Sequence, residues 1–384
     1  MSGRPAFPSL HLRPQPRLLD VPVVLFAFKR PDYLARVCAS LLRQDGIMLD
    51  PRRVFLLQDG PVSPRSGLRY AEDAEIQASV AAFRTHFPRG EVLASPDNLG
   101  ISVNIRRGET LAFETLDRDC AYFFEDDLEL GPDYLRIMEE LRALSDQDPR
   151  IGYFACYGDH AAMPPGPAAH LLMLQHHWAF GLKREPWRRL REWLAPYDRI
   201  LEGADYAFRD DVAIFRWMES LPVAGGFSSQ DAVKTLGCNA LGIARVMTDV
   251  CFARYIGAEG ASFSAAKFRE MGYDRMEWVR GPEHHLAPEA ASEVTAIIEE
   301  PRKRHEHYRQ HRLAGLLEQQ LRLRLERDRP ATREDVVTLY RFLLDRTPEE
   351  AAVDDLAGRY SVRRVREILL ESREYRGRNP RRPG

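Results

Sequence analysis

Ala121-Tyr122-Phe123-Phe124-Glu125-Asp126-Asp127 is the stretch on which the fold turns. Its first four residues are apolar and make a run of strand length. The run stops at once on three carboxylates. Adjacent carboxylates repel one another, and burying them unpaired is costly. They belong at the edge of a sheet, where a buried strand surfaces.

Upstream, the same pattern recurs. Val21–Phe28 is an apolar strand that ends in Lys29-Arg30. Pro31 suits a first helical position, and Leu34, Val37, Cys38 and Leu41 then mark one helical face. Val54–Leu57 predicts a second strand, closed by Gln58-Asp59-Gly60-Pro61. A helix over residues 70–86 follows, on Ile76, Val80 and Phe83. Glu91–Ala94 is a third strand; Asn98-Leu99-Gly100 breaks it, and a helix runs to about Leu116. Beyond the carboxylates, Tyr134, Leu135, Met138 and Leu141 mark another helix. Strands alternating with helices imply an α/β fold, a mainly parallel, Rossmann-like sheet with helices on both faces. Such sheets bind ligands at the carboxyl ends of their strands. Here those ends carry Arg30, Asp59 and the triplet 125–127.

Downstream the pattern is less regular. Ile151–Cys156 and Leu171–Leu174 read as strands, and residues 176–181 (HHWAFG) as an aromatic loop. A helix starts near Pro186. A turn at Gly225-Gly226 precedes a helix through Asp231 that ends at Gly237, and Ile243–Met247 is a strand. From residue 301 the texture changes. Leu313, Leu317 and Leu321 stripe a charged helix. Thr332 and Asp335 form a capping-box start, with Val336, Leu339, Tyr340 and Leu343 on the face behind it. Ser361 caps a last helix through Val362, Val365 and Leu369.

These breaks divide the 384 residues into an extended or disordered arm (1–19), an α/β domain (20–300, with halves 20–150 and 151–300), a helical linker (301–330), a small all-helical module (331–378) and a basic tail (379–384). The net charge of −2 hides an asymmetry. Residues 301–384 carry 21 basic and 14 acidic residues, whereas residues 1–300 carry 34 and 43. A net charge so near zero gives no global case for nucleic acid or a membrane surface as a partner. The five cysteines lack CxxC spacing, which argues against a disulfide framework or zinc site and suits a reducing cytoplasm. No run reaches the ~18 apolar residues of a membrane span. No G-x-G-x-x-G follows the first strand, which disfavours a nicotinamide or flavin enzyme, and no Walker A motif is present.

The carboxylate triplet has two readings: a solvated acidic turn, or a site for a hard divalent cation such as Mn²⁺ or Mg²⁺, which takes oxygen ligands and bridges to phosphates. With FKRP and QDGP at the earlier strand ends, the chain over residues 20–265 resembles GT-A-fold glycosyltransferases. The group of N-acetylglucosaminyltransferase I, whose metal motif is also EDD, is the nearest likeness. Residues 176–187 (HHWAFGLKREPW) resemble the His-x-Trp-Gly loop of bacterial relatives, and Ser229-Gln230-Asp231 stands where those have Trp-Asp. Two departures are the missing aromatic at 229–230 and Ala179 in place of a glycine.

The resemblance implies roles. Phe28 and Arg30 would flank the donor's base and diphosphate, and Asp59 would bond the uracil or ribose. Asp127 would bind the metal directly. Glu125 and Asp126 would contact the donor's ribose or sugar and the metal's waters. Asn98, Gly100 and Asn104 would lie along the donor. Asp231, at a helix start, would be the base that takes the acceptor's proton in an inverting transfer; its plainer reading is a carboxylate favoured by the helix dipole. His176, His177 and Trp178 would bind acceptor, or simply form a structured aromatic loop; Trp187 reads as core.

Residues 334–376 resemble the "domain of unknown function 4214" family, through Leu-Tyr-x-x-x-Leu-x-Arg-x-Pro and Ser-x-Glu-Tyr at 372–375. That family often accompanies bacterial surface-polysaccharide enzymes. A basic helical module suits a protein partner or an anionic membrane face, though a merely solvated charged face reads as well. The expectation is a cytoplasmic, metal-dependent glycosyltransferase, either free or peripheral at the inner membrane face, moving a sugar from a UDP-linked donor to a glycan or lipid-linked glycan hydroxyl. A nucleotidyltransferase and a non-catalytic scaffold are the alternatives; FKRPDYL lacks the glycines of a nucleotidyltransferase loop.

Overall fold

The computed structural model describes residues 16–161, 166–259, 264–326 and 329–378. Most of the N-terminal arm and the whole basic tail lie outside the described residues. The chain divides into two compact units: residues 1–209 with 229–305, and residues 210–228 with 306–384.

The first unit is α/β. Its central sheet has eight strands: β1 (Val23–Ala27), β2 (Val54–Gln58), β3 (Glu91–Ala94), β4 (Cys120–Phe124), β5 (Ile151–Ala155), β6 (Leu171–Met173), β7 (Ala179–Lys183) and β8 (Ala244–Thr248). Their order is β6-β8-β5-β7-β4-β1-β2-β3. β1, β2, β3 and β4 pair in parallel, as do β5 and β8. β6 and β7 are the antiparallel members. Every residue of β1, β2 and β4 is buried, which explains their unbroken apolar runs. Phe123, itself fully buried, stacks between Phe26 and Phe180. Burying one such ring fully is worth about 2–3 kcal/mol.

The chain leaves β1 toward β2 and β3 on one side and returns to β4 on the other. That reversal is a topological switch point, where α/β sheets bind their ligands. Arg30 follows β1 and the carboxylate triplet follows β4, so the two motifs flank it.

Two local expectations are corrected. Residues 179–181 are not loop but belong to β7, which bridges β4 and β5, antiparallel to both. Gly181 allows this, because a Cβ there would meet the Phe154 ring at 2.2 Å. The helix through Asp231 spans Gln230–Leu241 and passes Gly237. It ends at Gly242, whose φ of 66° is left-handed. Gly237 serves packing instead, since a Cβ there would strike Leu190 and Trp193.

The second unit is helical. Asp211–Glu219 packs on Leu313–Glu326, so residues 210–228, assigned by sequence to the α/β domain, lie in this unit. Thr332 and Asp335 cap Arg333–Leu344 reciprocally, and Ser361 caps Val362–Glu371. Val336, Leu339, Leu344, Val353, Val362 and Val365 form its core. No helix among the described residues is long and apolar enough to cross a membrane.

Candidate active site

Arg30 is the N-cap residue of helix Pro31–Leu41, and Pro31 sets the chain's direction into that helix. This aims the guanidinium along the switch point at the triplet. Nη2 lies 2.9 Å from Asp127 Oδ2, and Nε lies 3.2 Å from Asp126 Oδ2, with a second Nη2 contact to Asp126. Nη1 donates to the carbonyl of Glu259 at 3.2 Å. Burial works against the Arg30 charge, but Asp126 and Asp127 outweigh it and raise its pKa.

Asp126 and Asp127 are each 5% exposed. Burial pushes Asp126 up to about 6, against the pull of Arg30. It raises Asp127 also, again opposed by Arg30. Glu125 is raised well above the carboxylate range by burial, then by repulsion from Asp127, Asp231 and Asp126. The triplet is therefore strained in charge and holds one cation already.

Asp127 Oδ1 is buried without a hydrogen-bond partner. Beside it, Gly257 leaves room a side chain would fill: a Cβ there would lie 2.9 Å from Asp127 Oδ2 and 2.4 Å from Tyr255 Oη. Tyr255 Oη is 3.5 Å from Asp127 Oδ2. Among the described residues, no group of three or more His, Cys, Asp or Glu side chains is arranged to hold a metal ion. The orphaned oxygen and the cradle at Gly257 fit a hard cation held by one or two carboxylates, with phosphate and water completing its shell.

Asp59, at the end of β2, is differently employed. Oδ1 accepts from Leu99 N at 2.8 Å and Gly60 N at 3.0 Å; Oδ2 accepts from Gly100 N at 3.0 Å and Asn98 Nδ2 at 3.2 Å. A carboxylate offers about four acceptor sites, so Asp59 is committed to shaping this loop. Burial raises its pKa, opposed by these amides. Gly60 is needed because a Cβ would meet the Asp97 backbone at 2.5 Å. Gly100 has a φ of 78° and starts helix Ile101–Thr110. Asn104 is 2% exposed. Its amide donates to Leu57 O at 3.0 Å and accepts from Arg107 at 2.9 Å. Thus Asp59, Asn98 and Asn104 fasten loop and helix to the sheet. Phe28 is half-buried, and its carbonyl accepts from Gln58 Nε2 at 2.7 Å.

Asp231 lies in the first turn of helix Gln230–Leu241, behind the Ser229 cap. Its side chain is 40% exposed, and His177 Nδ1 lies 3.3 Å from its Oδ1. Burial works to raise its pKa, but His177, Lys234 and His176 outweigh this and lower it. Lys234, one turn on, is itself buried and pairs with Glu109 at 2.6 Å. Glu109 also accepts from Trp187 Nε1 at 3.2 Å, and Trp187 is core as expected.

The aromatic segment splits in function. His177 is 2% exposed and turns inward. Trp178 is 9% exposed and stacked by His176 (4.3 Å) and Tyr255 (4.1 Å), so little of its ring is free for a sugar. The stack His176–Trp178–Tyr255 reaches Asp127. Tyr255, with Tyr273 edge-on at 5.2 Å, is the site component that the sequence did not announce. It arrives from the ribbon in which Ala253–Tyr255 pairs with Leu128–Leu130, a register with no local signature.

No family model matches the chain, and no curated protein matches it. Among solved structures it is similar to galactosyltransferase LgtC in complex with donor and acceptor sugar analogues, at 13% identity and a TM-score of 0.29, over 68% of this chain and 98% of that one. It is similar also to CMP:2-keto-3-deoxy-manno-octonic acid synthetase complexed with CTP, at 11% identity and a TM-score of 0.34, over 66% and 98%. A third is the bifunctional glycosyltransferase WbbM, at 12% identity and a TM-score of 0.27, over 59% of this chain and 45% of that one. These likenesses are weak both in sequence and in superposition.

Proposed function

We propose that the chain is a nucleotide-sugar glycosyltransferase of GT-A type, using a UDP-linked donor and a glycan or lipid-linked glycan acceptor, with inversion. The observation that supports this most is the buried, unpartnered Asp127 Oδ1 at the switch point, set in an acidic triplet, with a second carboxylate, Asp231, close enough to act on Glu125.

Asp127 would hold Mn²⁺ or Mg²⁺, with Asp126 and Glu125 placed toward its waters and the donor's ribose or sugar. When bound, such an ion supplies Lewis-acid stabilisation of the leaving diphosphate. Arg30 contributes a fixed positive charge on the same side. The acceptor oxygen forms its bond to the sugar's anomeric carbon as that carbon's bond to the diphosphate breaks. The electron pair leaves with the nucleotide diphosphate, and the acceptor's proton passes to Asp231. Asp59, Asn98 and Gly100 would shape the loop along the donor, and His176, close enough to Asp231 to act on it, would meet the acceptor. Residues 301–384, which carry the basic excess, would dock the enzyme on a protein partner or an anionic membrane face.

Turnover of a panel of nucleotide sugars and nucleoside triphosphates tests the reading. Release of UDP from a UDP-sugar, lost in Asp231→Asn, is the expected result. Turnover of a nucleoside triphosphate with release of pyrophosphate would make it a nucleotidyltransferase instead.

A further inference from the structure

Behind Asp231 the first unit buries an unusual set of polar groups. Arg245 is 2% exposed, and its Nε and Nη1 have no hydrogen-bond partner. It sits on β8 directly opposite Tyr153 of β5, so the two side chains share one face of the sheet. Tyr153 Oη is also buried and unpartnered. The Tyr153 ring packs edge-on against His177 at 5.1 Å. Neither nitrogen of His177 is aligned in a formed hydrogen bond, yet Nδ1 stands 3.3 Å from Asp231 Oδ1. Leaving so many buried polar atoms unpaired costs about 1–3 kcal/mol each, a cost that folds tend to retain at functional sites.

We propose that His177 is the positioning residue of Asp231, a neutral imidazole that carries its proton on Nδ1 and presents it to Asp231 Oδ1. This rests on the reading of Asp231 as the base. A carboxylate at the other end of the contact can only accept, so the proton belongs on the Nδ1 side. Five groups face the ring or its charge: Asp231 from its helix, Lys234 one turn along, Arg245 from β8, Tyr153 from β5 and His176 next in sequence. Burial, Arg245 and Lys234 lower the His177 pKa, while Asp231 opposes them. The arrangement engages Oδ1 through His177 and the neighbouring Gln230 amide. Asp231 Oδ2 makes no hydrogen bond among the described residues, and the side chain's exposed fraction leaves it for the acceptor hydroxyl.

The test has one arm on the resting protein and one on turnover. In ¹⁵N-imidazole NMR of the full chain, His177 should show the Nδ1–H tautomer and stay neutral below its ordinary pKa of about 6.5. An Nε2–H tautomer, or a charged ring at neutral pH, overturns the proposal even if no variant folds. In turnover of the responsive UDP-sugar, His177→Ala should lower kcat about tenfold and move its acid limb upward by about one pH unit. UDP affinity should not change. His177→Asn, whose amide nitrogen can take the place of Nδ1, should restore both. If Asp231→Asn is inactive while His177→Ala keeps the wild-type kcat and acid limb, the positioning role is wrong and the base stands. If Asp231→Asn is active, the base itself is wrong.

Discussion

Arg30 and Asp127 form an ion pair across the switch point of the sheet, with Nη2 2.9 Å from Oδ2. The arginine side chain is 28% exposed and the aspartate's 7%. The guanidinium therefore occupies the charge niche that a divalent cation would share.

Competition follows from that niche. Arg30→Met should raise the affinity of the free protein for Mn²⁺ by about tenfold, since one charge–charge repulsion near a protein surface is worth one to a few kcal/mol. The same variant should weaken UDP binding, because the diphosphate loses a cation. Calorimetric titration with Mn²⁺ alone, then with UDP, measures both; unchanged Mn²⁺ affinity would remove Arg30 from the cation's niche.

Asp59 should prove structural before it proves functional. Asp59→Ala strips three backbone amides and one side-chain amide of their acceptor. With each buried unsatisfied donor costing about 1–3 kcal/mol, partly relieved by water entry, a loss of about 2–4 kcal/mol is expected in urea unfolding. A loss below about 1 kcal/mol would mean the loop holds itself.

Gly60→Ala tests the same loop from the other side. Its Cβ would stand 2.5–2.7 Å from three backbone atoms of Asp97. Backbone cannot swing aside as a side chain can, so a destabilisation of about 2 kcal/mol or more is expected. Gly225→Ala, which meets nothing within 4 Å, is the matched control.

Acid sensitivity should trace in part to Asp205. It is 7% exposed and accepts from Tyr70 Oη at 2.8 Å and from the hydroxyls of Ser63 and Ser66. Burial works to raise its pKa, but these hydrogen bonds prevail and lower it. A carboxyl lowered on folding adds stability above its unfolded pKa, and the contribution disappears as pH falls through the folded one. Asp205→Asn should therefore cost about 1–2 kcal/mol at pH 7. It should also flatten the fall in stability below about pH 4, the ordinary aspartate range, measured by urea midpoints. An unchanged acid limb would contradict this.

The sequence carried much of this fold because β1, β2 and β4 are buried on both faces. Burial of that kind leaves unbroken apolar runs with charge only at their ends. β7 was hidden by the opposite circumstance. Gly181 and the aromatics around it read as a loop, whereas the glycine is there to seat the Phe154 ring. At the site, residue types at strand ends were legible, but not their partners. Asp59 looks like a ligand-facing carboxylate until its oxygens are seen to be filled by residues some 40 positions on. Tyr255 and Arg245 were invisible because only strand pairing brings them near Asp127 and His177.

Asp127 as the holder of a cation that binds the donor's diphosphate is tested by calorimetric titration of UDP into the full chain, with and without Mn²⁺. UDP binding should strengthen at least tenfold with Mn²⁺ in the wild type and lose that gain in Asp127→Ala. UDP binding indifferent to Mn²⁺, or a gain that survives in Asp127→Ala, would contradict that role.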